Sequence, residues 1–320
     1  MSERIVIKEI CEVYDGPHAT PKKTVDGPVY LGIDAITDDG KINAKEFAHL
    51  SEEDYIKWTK RVTPQYGDIV FSYEATLGRY ALIPKDFYGC LGRRLAIIRN
   101  VSKDIDTLWL YYYFLSPEWK QFIQSKIIKG STVNRISVED FPTYTVPNIS
   151  IKVQRKIANI LSKIDEKIAL NNNINDNLEQ QAKLIYDYWF TQFDFPDENG
   201  KPYCSSGGKM VWNEQLKRNI PENWNVVPLL KLVSWESNSQ PPKSEFVYEP
   251  KEGYVRFIQN RDYDSDTHIT YIPRTKNLSI VDRFDILMDK YGDAGAVRYG
   301  IEGAFNVALG KICVHNPNYR

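Results

Sequence analysis

The sequence predicts an α+β protein: a module of small β-sheets with helices, a long coiled-coil-like helix, then a second, incomplete copy of the first module. Three observations carry this. Gly67-Asp68-Ile69-Val70-Phe71 runs on to Gly78, and Asp285-Ile286-Leu287-Met288 runs as far to Gly295, so Asp68 pairs with Asp285 and Gly78 with Gly295, both 217 residues apart. Between the two phrases, no Pro or Gly occurs from Ile149 to Phe195. Around them, short β-rich runs alternate with Gly, Pro and Asp, as in small sheets with long loops.

A chain of 320 residues suggests two domains and a connector. Hydrophobic content of 42% and aromatic content of 13% suffice for packed cores. No apolar run reaches membrane-spanning length, and Met1-Ser2-Glu3-Arg4 does not open a secretory signal, so a soluble, cytoplasmic protein is expected. Cys11, Cys90, Cys204 and Cys313 are too scattered for metal-ligand spacing and read as reduced thiols. A net charge of −1 requires any nucleic-acid surface to be local and balanced by acid elsewhere.

The elements follow in order. Residues 1–150 form the first module, with strand-like runs at 29–33, 68–71 and 95–98. A helix spans about 107–127, since Leu108, Tyr111, Leu115, Trp119, Phe122 and Ile123 recur at steps of three and four, and Pro117 predicts a break within it. Residues 151–190 form the long helix, with a seam through Ile157, Leu161, Ile164, Ile168, Leu178, Ile185 and Trp189. A helix of about 37 residues within it would measure about 55 Å, or roughly 16 base-pair rises. Residues 191–225, rich in Pro, Gly, Asn and Ser, read as a linker, and 226–320 form the second module.

Val153-Gln154-Arg155-Lys156-Ile157-Ala158-Asn159-Ile160-Leu161 opens the helix and Ile185-Tyr186-Asp187-Tyr188-Trp189-Phe190 closes it. Gly200-Lys201-Pro202-Tyr203, Ser206-Gly207-Gly208 and Ile220-Pro221-Glu222-Asn223-Trp224 follow. In this order and spacing the chain resembles the specificity subunit of type I restriction-modification systems. Gly67-Asp68-Ile69-Val70-Phe71-Ser72 and Lys129-Gly130-Ser131-Thr132 fit that family's target recognition domains. The resemblance implies two such domains joined by two antiparallel conserved helices, acting in antiviral defence as a DNA-binding restriction-system component. Modification subunits, and restriction subunits in the full assembly, are the implied protein partners, with double-stranded DNA as target. S-adenosylmethionine, ATP and Mg are expected in those partners, and no cofactor or metal in this chain. The counterpart of residues 101–190 is absent from the second half, so a truncated or phase-variable product is one expectation, with self-association through residues 151–190 another.

Reading bases needs side chains that reach groove edges and cations for phosphates. Three patches qualify in the first module: Tyr73, Glu74, Thr76 and Arg79 between strands; Arg93 and Arg94 in a basic run; and Lys129, Ser131, Thr132, Asn134 and Arg135 in a stretch without acids. An isolated basic run is usually a solvated face, and the hydroxyl and amide groups beside these argue for contact. In the second module Arg256, Asn260 and Arg261 follow a strand, and Lys290 and Tyr291 occupy the loop matching Tyr73-Glu74. Catalytic signals are poor. Asn316-Pro317-Asn318-Tyr319 only faintly matches the Asn-Pro-Pro-Tyr of amino-methyltransferases and reads as a chance turn. The expectation is a non-catalytic specificity subunit directing methylation and restriction to a bipartite target. A freestanding enzyme and a coiled-coil scaffold that does not read DNA are the competing classes.

Overall fold

A computed structural model describes residues 3–130 and 133–316. The chain divides into two compact units, Met1–Lys183 and Leu184–Arg320. The long helix thus groups mainly with the first unit.

The strands of the first unit are Arg4–Val6 (β1), Cys11–Asp15 (β2), Thr24–Leu31 (β3), Ala48–His49 (β4), Ile69–Ser72 (β5), Tyr80–Leu82 (β6), Gly89–Leu91 (β7), Leu95–Asn100 (β8) and Thr145–Pro147 (β9). Its helices are Glu52–Trp58 (α1), Thr107–Leu115 (α2), Pro117–Lys126 (α3) and Ile151–Tyr186 (α4). A four-stranded antiparallel sheet, ordered β2-β8-β5-β6, forms the centre. Its strands alternate between two apolar cores, because successive side chains leave a strand on opposite faces. Ile69, Phe71, Ala96 and Ile98 pack with Trp109, Leu110, Phe114, Trp119 and Phe141. Val70, Leu95 and Ile97 pack instead with Leu31, Ala35, Ile36, Ala81 and Leu91. The second sheet, β4-β3-β7, supplies part of that layer, with β3 and β7 parallel.

The break at Pro117 falls where the sequence requires it. Ser116 caps α3 by accepting from the Trp119 amide at 3.2 Å, and Pro117 takes the first helical position, where a missing N–H costs nothing. The indole N–H of Trp119 then donates to the Tyr80 hydroxyl at 2.8 Å, so the largest side chain of this core is buried without an orphaned donor.

Helix α4 runs for 36 residues, about 54 Å at the standard rise, and ends in a π-helical turn, Asp187–Thr191. Only its first turns are held by the first unit. Gln154 is fully buried: its amide N–H donates to the carbonyls of Asp104 (3.0 Å) and Ile149 (2.7 Å), and its carbonyl accepts from the Asp106 amide (2.7 Å). The Tyr112 hydroxyl adds a bond to Asp165 at 2.7 Å.

The second unit carries strands Met210–Asn213 (β10), Arg218–Pro221 (β11), Val233–Glu236 (β12), Tyr254–Ile258 (β13), Tyr271–Pro273 (β14), Ile280–Val281 (β15), Ile286–Asp289 (β16), Val297–Arg298 (β17), Gly303–Phe305 (β18) and Leu309–Val314 (β19). Residues 191–225, read as a linker, are folded. Strands β10 and β11 form a hairpin, and the Phe195 ring stacks between Tyr203 and Trp224 with centroids 4.9 and 5.3 Å away.

Beyond that hairpin the architecture of the first unit returns. The sheet β12-β19-β16-β17 repeats the order β2-β8-β5-β6, and β13 lies parallel to β18 as β3 does to β7. The turn after the central strand is closed identically. The Gly78 amide donates to the Ser72 carbonyl at 2.9 Å and the Gly295 amide to the Asp289 carbonyl at 2.9 Å. Both glycines sit at positive φ, 73° and 95°, which a side chain would strain. At the parallel crossing, a Cβ on Gly89 would lie 2.2 Å from the Val29 carbonyl, and one on Gly303 2.4 Å from that of Arg256. From Gly89 to Gly303 the offset is 214 rather than 217 residues, so the second copy loses three residues between β17 and β18.

Candidate functional site

Two loops singled out in the first unit are joined through their backbones. The Ile136 amide donates to the Tyr73 carbonyl at 2.7 Å, and Glu74 and Arg135 form an antiparallel bridge. The Tyr73 amide donates to the Arg94 carbonyl at 3.1 Å. Residues 73–79, 93–94, 128–130 and 133–136 thereby form one edge. Arg135 is held in register by paired amide–carbonyl bonds to Ile128, 2.9 and 3.1 Å.

The individual side chains divide by role. Tyr73 is buried, and burial, then the nearby Asp15 carboxylate, push its phenol well above the ordinary value. It packs in the apolar core of the first unit. Glu74 pairs with the Arg94 Nε at 3.4 Å, and Arg94 sits at φ 73°. Arg79 is committed to Asp38 (2.6 Å) and to the Ile36 carbonyl (3.0 Å). The Thr76 carbonyl accepts from the Ser72 hydroxyl, which closes the loop. Arg93, Lys129, Asn134 and Arg135 are exposed, and among the described residues no carboxylate pairs with these three cations. Ser131 and Thr132 lie outside the described residues, as do Pro317, Asn318 and Tyr319.

In the second unit Lys290 and Tyr291 occupy the turn equivalent to Tyr73-Glu74, and the Lys290 amide donates to the Ala308 carbonyl at 2.7 Å as Tyr73 does to Arg94. Tyr291 is exposed, and its carbonyl accepts from the Asn260 side chain at 3.5 Å, which links the two loops named from sequence. Lys290 donates to the Ser237 hydroxyl at 3.2 Å. Arg256 is paired with Asp266 at 2.8 Å, and Arg261 lies 3.8 Å from the buried Asp262 and reaches the His268 carbonyl at 3.4 Å.

The seam of α4 faces outward. Ile157, Ile164, Ile168, Leu178, Ile185 and Trp189 are exposed and Leu161 is half-buried. Sequence reasoning missed Gln154, which no apolar pattern marks. It also missed the buried pairs Asp68–Arg99 (2.7 Å) and Asp289–Arg298 (3.1 Å). For Asp289 the signal was available, because the 217-residue offset places it on Ser72 and Arg298 on Ala81.

Residues 2–180 match the model of the type I restriction modification DNA specificity domain. Over 201 residues the chain is 26% identical to the type I restriction enzyme MjaIX specificity subunit of Methanocaldococcus jannaschii, covering 63% of this chain and 43% of that protein. It is 26% identical over 133 residues to the HindI specificity subunit of Haemophilus influenzae, covering 40% and 28% respectively. The matches thus span less than half the length of these curated relatives. The fold is similar to that of the type I restriction-modification S subunit from M. genitalium, with a TM-score of 0.51 at 17% identity over 98% of this chain and 73% of that one.

Proposed function

The chain belongs to the type I restriction-modification DNA specificity family, and from that premise we propose that it reads DNA sequence within such a complex without itself transferring methyl groups or cutting. The observation that supports this best is the edge made by residues 73–79, 93–94, 128–130 and 133–136, which carries three exposed cations that no carboxylate among the described residues neutralises. Phosphate contacts need such cations, and base contacts need side chains on a fixed backbone. Arg135 meets both needs. Methyl transfer, and the S-adenosylmethionine, ATP and Mg it and cleavage require, belong to partner subunits. The exposed seam of α4 is the surface we assign to a modification subunit.

Selection from randomised duplexes, by the chain in complex with its modification subunit, tests the reading. An enriched bipartite motif is expected. Arg135→Ala should cost about 1–3 kcal/mol and relax one position of the motif. Lys129→Ala should weaken all sequences alike and lower the salt slope by about one. Enrichment of no motif would return the protein to the class of coiled-coil scaffolds.

A further inference from the structure

The two copies of the central turn are closed by the same backbone bonds, yet their side-chain supports differ in kind. In the first copy the residue at the root of the turn is a neutral hydroxyl, Ser72. Its hydroxyl donates to the Thr76 carbonyl and accepts from the Arg79 amide at 3.1 Å, inside an apolar layer that includes Ala81 and Ile36. In the second copy Asp289 stands at the Ser72 position and Arg298 at the Ala81 position, opposite Leu287 as Ala81 is opposite Val70. Tyr263 follows β13 at the interval at which Ile36 follows β3. The layer keeps an apolar cluster of Ile258, Leu287, Phe305 and Leu309, and these two positions in it have become an ion pair.

The geometry is that of a clamp. The Arg298 guanidinium donates from Nη2 to Asp289 Oδ2 at 3.1 Å and from Nε to Oδ1 at 3.4 Å, a two-pronged contact with a carboxylate that is 1% exposed. The same Nη2 lies 3.7 Å from Asp293, whose side chain is 80% exposed. The guanidinium plane sits 5.5 Å from the Tyr263 ring centroid. Asp289 ends β16 and Asp293 lies within the turn that closes at Gly295, so one side chain fixes both the root and the crown of the segment carrying Lys290 and Tyr291. A buried ion pair is a weak source of stability compared with the apolar packing it replaces, whereas its directionality fixes a conformation. Nothing in the fold requires it at this place, since the first copy carries Ser72 and Ala81 there.

We propose that Arg298, through Asp289 and Asp293, is a positioning residue that sets the conformation of the 290–295 turn and thereby the base preference of the second module. This rests on the reading of the chain as a DNA-specificity protein. Neither Arg298 nor Asp289 touches the target in this scheme.

The test uses the full chain with its modification subunit and randomised duplexes. Lys290→Ala with Tyr291→Ala first identifies which half of the enriched motif depends on the second module. Asp293→Asn then removes only the exposed end of the clamp. It should leave the thermal midpoint and the other half-site unchanged while preference at the second half-site falls about tenfold. The exchange Asp289→Ser with Arg298→Ala installs the pair used by the first copy. It should fold and show the same loss, whereas a purely stabilising clamp predicts restored preference. Wild-type preference at the second half-site in both variants overturns the proposal. A wild type that enriches no motif overturns the DNA reading itself. A motif with no half sensitive to Lys290→Ala and Tyr291→Ala leaves that reading standing and overturns the role of this turn.

Discussion

Gln154 shows how much one side chain can decide. It is the only fully buried polar group on α4 among the described residues, and it bonds the backbone at three points on the loops around it. Truncating it leaves the Asp106 amide and two carbonyls without partners inside the protein, which costs about 1–3 kcal/mol for each buried group left unmet. Gln154→Ala should therefore lower the denaturation midpoint of the first unit, whereas Lys156→Ala, on an exposed position two residues on, should not. Titration gives a second expectation at this scale. Burial pushes the Cys11 and Cys90 thiols up to about 12 from an ordinary value of 9.0. Unfolded, these thiols ionise near 9; folded, they stay protonated to about 12, so between those values unfolding releases protons and rising pH favours the unfolded chain. Their stabilising share is complete below pH 9 and is lost as pH climbs toward 12. Thermal midpoints measured from pH 8 to 11 should fall, and less steeply in Cys11→Ala with Cys90→Ala.

Among the elements, α4 contributes through what it leaves uncovered. Past its first turns it has few internal contacts, and the row Ile157, Ile164, Ile168 and Leu178 stays in water. Ile164→Asp with Ile168→Asp should abolish co-purification with a modification subunit while leaving the thermal midpoint of the chain within a degree or two, because these positions are exposed already. Most of this element was legible in the sequence, since the absence of Pro and Gly and the seven-residue rhythm of Ile and Leu are both written in order. The kink at Ser116-Pro117 was legible for the same reason. The folding of residues 191–225 was not: Pro, Gly, Asn and Ser dominate the composition, while the structure hangs on Phe195, Tyr203 and Trp224, which meet only in space. The burial of Tyr73 was hidden in the same way. Its neighbours in sequence are those of a loop, and its neighbours in space are those of a core.

For the molecule as a whole, the repeat is the organising fact. The shared strand orders, the parallel crossings and the matched turns at Gly78 and Gly295 show that the duplicated phrase in the sequence marks a duplicated fold. If the first copy reads half of a target, exchanging residues 1–150 for those of a relative should change one half of the methylated motif and leave the other intact, as sequencing of methylated genomic DNA would report. The junction is favourable because what crosses it from Gln154 is met by main-chain groups at Asp104, Asp106 and Ile149, which any donor of the same fold supplies. The ionic variation of the repeat is legible only when the 217-residue offset is applied position by position, because an Asp and an Arg nine residues apart in a polar stretch otherwise look like ordinary surface.

Between the central strand pair and the crossing glycine the copies differ by three residues, all in the connector from β6 to Gly89 or from β17 to Gly303, while β5 stays beside β6 as β16 does beside β17, and β3 beside β7 as β13 beside β18. That connector is a seam in the tailoring sense, a place where cloth can be let out or taken in without altering the cut. In the first copy its middle, Lys85 and Asp86, is exposed. It offers a graft point for a fluorophore or an affinity handle, and a spot where natural lineages can drift in length while the scaffold beneath stays the same.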